Sequence, residues 1–206
     1  MKGRFLVALG LMVFLLGAVL SYSISADSSA LGYLKTHIAS LQQVLSDQNL
    51  AGKHQVLQRR KLERVILEKL FDFEEMARRS LGANGRRYED RMGEFTPLFV
   101  DLLEHVYMGE LEENGDAKIQ YVREIIVSDK IVEIDTKTRL RDGSEYSVDY
   151  KLLLSPAGWR VYDVIVGGIS LVDNYRAQFE RVLRKKSFDE LLQDLRDKKQ
   201  QFSLSA

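Results

Sequence analysis

The spacing of hydrophobic positions changes three times along the chain. Phe5 to Leu20 is apolar without interruption. From Leu31 the apolar residues recur at three-and-four spacing, which predicts helices that bury one stripe. Leu31, Leu34, Ile38, Leu41 and Leu45 form the first stripe, and Gly52 interrupts it. A second helix is predicted from about His54 to Leu70, with Leu57, Leu62, Val65, Ile66 and Leu70 turned inward. Asp72 and Glu75 form a capping box for a short helix, Phe73 to Ser80, that Gly82 stops. Ala83-Asn84-Gly85 reads as a polar turn. Beyond it a long helix, from about Arg91 to Leu111, presents Phe95, Leu98, Phe99, Leu102, Leu103 and Val106, and Pro97 draws its start toward Glu94.

The period then drops to two. Ile119, Tyr121, Arg123, Ile125 and Val127 alternate with mostly polar neighbours, and Val132, Ile134, Thr136 and Thr138 repeat the pattern. Asp142-Gly143 carries a hairpin signature, and Tyr146, Val148, Tyr150, Leu152 and Leu154 alternate after it. Ser155 to Gly158 turns the chain into a fourth strand, Trp159 to Val166, and Gly167-Gly168 reads as the bend from sheet to helix. Leu171, Val172, Tyr175, Phe179, Val182 and Leu183 then face inward on a helix capped by Ser170 to Asp173. Ser187 to Glu190 is a capping box for a last helix bearing Leu191, Leu192 and Leu195. The expectation is an α+β fold: a four-stranded antiparallel meander covered on one face by helices, with an additional helical subdomain.

Composition narrows the function. The 206 residues hold 30 Lys+Arg and 30 Asp+Glu, for a net charge of zero. That balance excludes the basic face that nucleic acid requires and the cationic cluster of a permanent adhesion to anionic bilayers. There are no cysteines, so disulfides, thiol catalysis and a lipid-acceptor Cys are all excluded. Lys2 and Arg4, the apolar run and the small polar residues from Ser21 to Ser29 read as a secretory signal over residues 1–26, cleaved near 23–26. The 16-residue run from Phe5 to Leu20 is short of the ~20 needed to span hydrocarbon, which disfavours an uncleaved anchor. Residues 27–206 then make one domain.

Candidate chemistry is sparse. His37, His54 and His105 lack metal-ligand spacing, and neither a phosphate-binding glycine loop nor a nucleophile elbow occurs. Tyr162-Asp163 is the pair to weigh as tyrosine and carboxylate base, but neighbours on a strand point to opposite faces unless a bulge intervenes. The plainer reading is a core tyrosine and an aspartate that bonds loop amides. Trp159 reads as a core anchor, and Arg181, Arg184, Lys185 and Lys186 as the basic end of a helix.

The stretch from Gly158 to Phe179, GWRVYDVIVGGISLVDNYRAQF, closely resembles the signature of the MlaC (toluene-tolerance) family. Phe71 to Gly82, Phe95 to Tyr107 and Phe188 to Lys198 resemble its middle and closing helices, so the resemblance spans about Leu31 to Lys199. The departure is Gly85-Arg86-Arg87-Tyr88, where such proteins often carry a tryptophan. The resemblance implies a fold distantly like NTF2 and a periplasmic phospholipid-binding shuttle without cofactor or metal, monomeric and not an enzyme. It implies transient docking to an inner-membrane MCE-domain ABC transporter complex and to an outer-membrane lipoprotein complex, in a system that maintains outer-membrane lipid asymmetry. A hopanoid or other lipid is the alternative cargo, and a small NTF2-like enzyme a more distant alternative. The tail contacts expected on this basis are Phe99, Leu102, Leu103 and Val106 from the long helix. The strands add Tyr121, Val132, Ile134, Tyr146, Val148, Tyr150, Tyr162 and Val164, and the following turn Ile169 and Val172.

Overall fold

The computed structural model describes residues 29–50 and 52–205, so the leader expected over residues 1–26 lies outside the described residues. The helices are α1 (Ala30–Ser46), α2 (Val56–Leu70), α3 (Phe73–Ser80), α4 (Ala83–Arg87), α5 (Met92–Glu113), α6 (Leu171–Leu183) and α7 (Phe188–Ser205). Between α5 and α6 run β1 (Lys118–Ser128), β2 (Ile131–Arg139), β3 (Glu145–Ser155), β4 (Gly158–Val166) and β5 (Ile169–Ser170).

Local chemistry sets the helix ends. Ser29 Oγ accepts from the Gly32 N–H at 3.0 Å, and Asp72 accepts from the Glu75 N–H at 3.0 Å, so α1 and α3 each start on a side-chain cap. The expected turn at 83–85 is instead the helix α4: Gly85 lies so close to α3 that a Cβ there would meet the Arg78 carbonyl oxygen at 2.4 Å. Pro97 sits within α5, and Gly93, whose carbonyl loses the proline's missing donor, is open to water.

One correction concerns the sheet. It has five strands rather than four, in the order β1-β2-β3-β4-β5, every ladder antiparallel. Gly167 and Gly168 have φ of 56° and 82°, the positive values that a two-residue hairpin demands, and Val166 pairs with Ile169 across them. The pair therefore folds the chain back into β5 before α6 begins. A bulge in β4 leaves Tyr162 unpaired between Val161, opposite Leu152, and Asp163, opposite Lys151.

The core has two parts. The first joins α3, α5, α6 and α7 through aromatic rings: Phe95 meets Phe179 edge-on at 5.4 Å, and Phe99 meets Tyr175 at the same distance. The second packs Leu34 and Ile38 of α1 and Leu70 of α2 onto Val132, Ile134, Leu152 and Val161 of the sheet. Phe71 forms an isolated parallel bridge to Val161, and the Asp72 N–H donates to the Val161 carbonyl at 2.8 Å, fixing the α2–α3 junction to β4.

The helix α2 departs from its expected face. Leu57 is 84% exposed, and Leu62 and Val65 also face solvent, whereas Glu63 is fully buried. The reason is ionic: Arg59 bonds Glu63 at 3.2 Å and Glu112 of α5 at 3.1 Å, and Arg60 bonds Glu112 at 3.0 Å. Those pairs rotate the Arg59–Glu63–Leu67–Leu70 side toward the protein.

Candidate functional site

Between α1, α2, α5 and the sheet lies a cavity of about 380 Å³. The C-terminal half of α5 forms one wall with Leu103, Tyr107, Met108 and Leu111; β3 and β4 form another with Val148, Tyr150, Val164 and Val166. Ile38, Leu41 and Leu45 of α1 and Leu67 and Leu70 of α2 close the sides. Phe71, Phe73, Met76 and Leu171 close one end. Tyr107, Glu110 and Val166 are the lining residues most open to solvent and mark the mouth. The volume lies in the range of pockets that swallow most of a small organic ligand.

Of the expected tail contacts, Leu103, Val148, Tyr150 and Val164 line this cavity. Phe99, Leu102, Tyr162 and Val172 sit in the aromatic helical core, with the Arg79 guanidinium 4.1 Å from the Tyr162 ring. Val132 and Ile134 are buried beneath α1, and Tyr121 packs beside them under the Lys35 ammonium. Val106, Tyr146 and Ile169 are exposed, Ile169 to 67%. The lining residues of α1 and α2, and Tyr107, Met108 and Leu111 of α5, were not among the expected contacts. Their signal was the helical stripe itself, which reads the same whether it faces a filled core or a void.

The site is electrostatically quiet. Burial pushes the Tyr150 phenol well above its ordinary range, reinforced by Tyr121 and Asp149, so it stays neutral. Burial also raises the Glu104 carboxyl, against the Arg64 guanidinium 3.5 Å away, which draws it down. The lining carries no Lys or Arg; Glu104 and Glu110 are its charged members. The arrangement suits apolar chains and offers an anionic group no cation to bind.

The Tyr162-Asp163 pair is occupied elsewhere. The bulge frees the two side chains from strict alternation, yet neither residue lines the cavity. Asp163 accepts from the Ser170 hydroxyl at 2.6 Å and the Val172 N–H at 3.0 Å, with Lys151 Nζ at 3.9 Å, so it ties β4 to the start of α6. Among the described residues no three His, Asp or Glu side chains gather in a way that could hold a metal ion, and no helix is long and apolar enough to cross a membrane.

Fold and cavity together define an α+β domain with an apolar cavity between its helices and an antiparallel sheet. The family described as MlaC protein matches residues 35–197, and the chain belongs to that family. A similar solved structure is a phospholipid-binding protein from Ralstonia solanacearum, in complex with a phospholipid. It shares 23% identity and a TM-score of 0.72, over 85% of this chain and 99% of that one. No curated relative matches the chain.

Proposed function

We propose that this protein is a periplasmic phospholipid carrier, exported by its leader, that moves lipid between the inner and outer membranes as the soluble component of an Mla-type transport system. The observation that carries the reading is the apolar cavity of about 380 Å³ within the fold of this family. Each CH₂ taken from hydrocarbon into water costs about 0.8 kcal/mol, so acyl chains cannot cross an aqueous gap unprotected. A wall of Leu, Ile, Val, Phe and Met side chains supplies the dry environment, and Leu103, Val148, Tyr150 and Val164 would touch the tails directly. A lining without Lys or Arg leaves the phosphate ungripped, which favours release to a partner. The partners would be an inner-membrane MCE-domain ABC transporter complex and an outer-membrane lipoprotein complex, each met transiently by the monomer.

The test is native mass spectrometry of the protein purified from the periplasm, followed by lipid extraction. A co-purifying phospholipid is expected. A protein that stays empty after incubation with phospholipid vesicles overturns the reading, and a polycyclic lipid in the extract replaces the cargo.

A further inference from the structure

Helix α2 is turned the wrong way round for a helix that serves packing alone. Arg59 and Glu63 face the protein while Leu57, Leu62 and Val65 face water, and Leu57 is the most exposed large apolar side chain among the described residues. Single exposed apolar residues are ordinary on a protein surface. An exchange of sides is not, because here the inward side carries a cost: Glu63 Oε2 is buried and has no hydrogen-bond partner. A helix selected for packing alone would bury the leucines and expose the carboxylate.

The outward face has a definite composition. Leu57, Lys61, Val65 and Lys69 succeed one another at four-residue spacing, and Leu62 stands three residues before Val65, so neighbours along this row share one side of the helix. Arg60 and Arg64 flank them, each half exposed. Those two share their charge with Glu112, Glu68 and Glu104, whereas among the described residues Lys61 and Lys69 pair with no carboxylate. The carbonyls at the end of α2 are met by Arg160, whose Nη1 donates to Glu68 at 2.9 Å, and the Lys69 side chain is left to solvent. Apolar side chains a turn apart, with unpaired lysines between them, are the pattern of a helix that lies in a bilayer interface.

We infer that the outward face of α2 is the surface by which the protein docks on an anionic phospholipid bilayer, with Leu57, Leu62 and Val65 entering the interface and Lys61 and Lys69 meeting lipid phosphates. The choice of a bilayer as the partner rests on the lipid-carrier reading. Leu67 and Leu70, on the other side of the same helix, line the cavity, so a docked bilayer lies one helix diameter, about 10 Å, from the space for the tails. The contact is transient by construction. Two unpaired lysines on a chain of zero net charge give an attraction that salt readily weakens.

The experiment is flotation of the protein purified from the periplasm with vesicles of phosphatidylcholine alone and of phosphatidylcholine mixed equally with phosphatidylglycerol. Binding to the mixed vesicles is expected to be about 30-fold tighter, roughly fivefold for each lysine. Lys61→Gln combined with Lys69→Gln removes that difference, and Leu57→Ser lowers binding to both vesicles by about 10-fold. A chain without cysteines also accepts one label at a time. A polarity-sensitive dye on Leu57→Cys shifts to the blue on mixed vesicles, while dyes on Ile126→Cys and Ile169→Cys, exposed apolar positions of the sheet, do not. Equal binding to both vesicles, or binding to neither, overturns the inference. A shift at 126 or 169 with none at 57 overturns it too, as does a dye at 57 that responds only to a membrane-embedded partner protein. The comparison of the two vesicles needs no variant, so it decides the matter even where a substituted chain fails to fold. Native mass spectrometry of the same protein reads lipid content separately: an empty protein that still floats refutes the carrier, and a loaded one that does not float refutes the docking face alone.

Discussion

The two halves of α5 face different worlds. Phe95, Phe99 and Leu102 of its first half lie among the rings of α6 and α7, where centroids approach to 5.4–6.0 Å. Tyr107, Met108 and Leu111 of its second half look across a cavity toward β3 and β4. Both halves are amphipathic. What differs is whether the opposite wall reaches them: α6 and α7 close on the first, while the second is bridged to α2 by Arg59, Arg60 and Arg64 pairing with Glu112 and Glu104. Packed core and open cavity are thus allotted to successive turns of one helix.

Substitutions should separate the two. Phe99→Ala removes a fully buried ring from the packed half and is expected to cost about 3–5 kcal/mol in chemical denaturation. Lipid loading of the molecules that remain folded should be unchanged, and a parallel loss would merge the two regions. Asp163→Asn takes the charge from the bonds that hold the start of α6 and should cost about 1.5–3 kcal/mol, again with lipid retained. Val164→Trp fills the cavity from β4 and should change stability by less than about 1 kcal/mol, because the added ring enters existing space. Its lipid content on mass spectrometry should fall to background, and an undiminished load would move the binding site elsewhere.

The smallest effect concerns Glu63. Burial, followed by the nearby Glu112, raises its carboxyl pKa, while Arg59 and Arg60 act the other way. A carboxyl whose folded pKa lies above its unfolded value contributes stability that is complete below the unfolded value and is lost as pH rises through the folded one. Glu63→Gln should therefore gain on the wild type as pH rises from about 4.5 toward neutrality. Arg59 keeps Glu112 as a partner in the variant, so no charge is stranded. Melting temperatures of the two proteins across that range check the sign, and a wild type that gains on the variant as pH rises would reverse it.

Most of the helices were legible in the sequence because amphipathic period and capping residues are local, as Asp72 and Ser170 show. The inward side of α2 was not, because Leu57, Leu62 and Val65 outnumber Leu67 and Leu70 and only Glu112, more than 40 residues away, reveals why Arg59 and Glu63 turn in. In the sheet, alternation identified the face that α1 and the cavity share but not the position along it. Val132 and Ile134 lie on the same face as Val148 and Tyr150, yet α1 covers the first pair and the cavity opens over the second. Bulges defeated alternation outright: Val127, expected among the inward positions of β1, is the unpaired residue between Ile126 and Ser128 and is exposed. β5 was missed because two residues are too few to display a period.

The sequential strand order has a consequence for how the domain assembles. Every ladder of the sheet joins strands adjacent in the chain through short connections, so the loops to be closed are small and the meander can form early. The cavity cannot, since its α1–α2 wall is fastened by residues 71 and 72 meeting residue 161. Until that long loop closes, Val148, Tyr150 and Val164 are a bare apolar sheet in water. Enclosure of the cavity is therefore expected to come last as the chain folds, and amides at the α2–α3 junction should exchange with solvent ahead of those in the centre of β3.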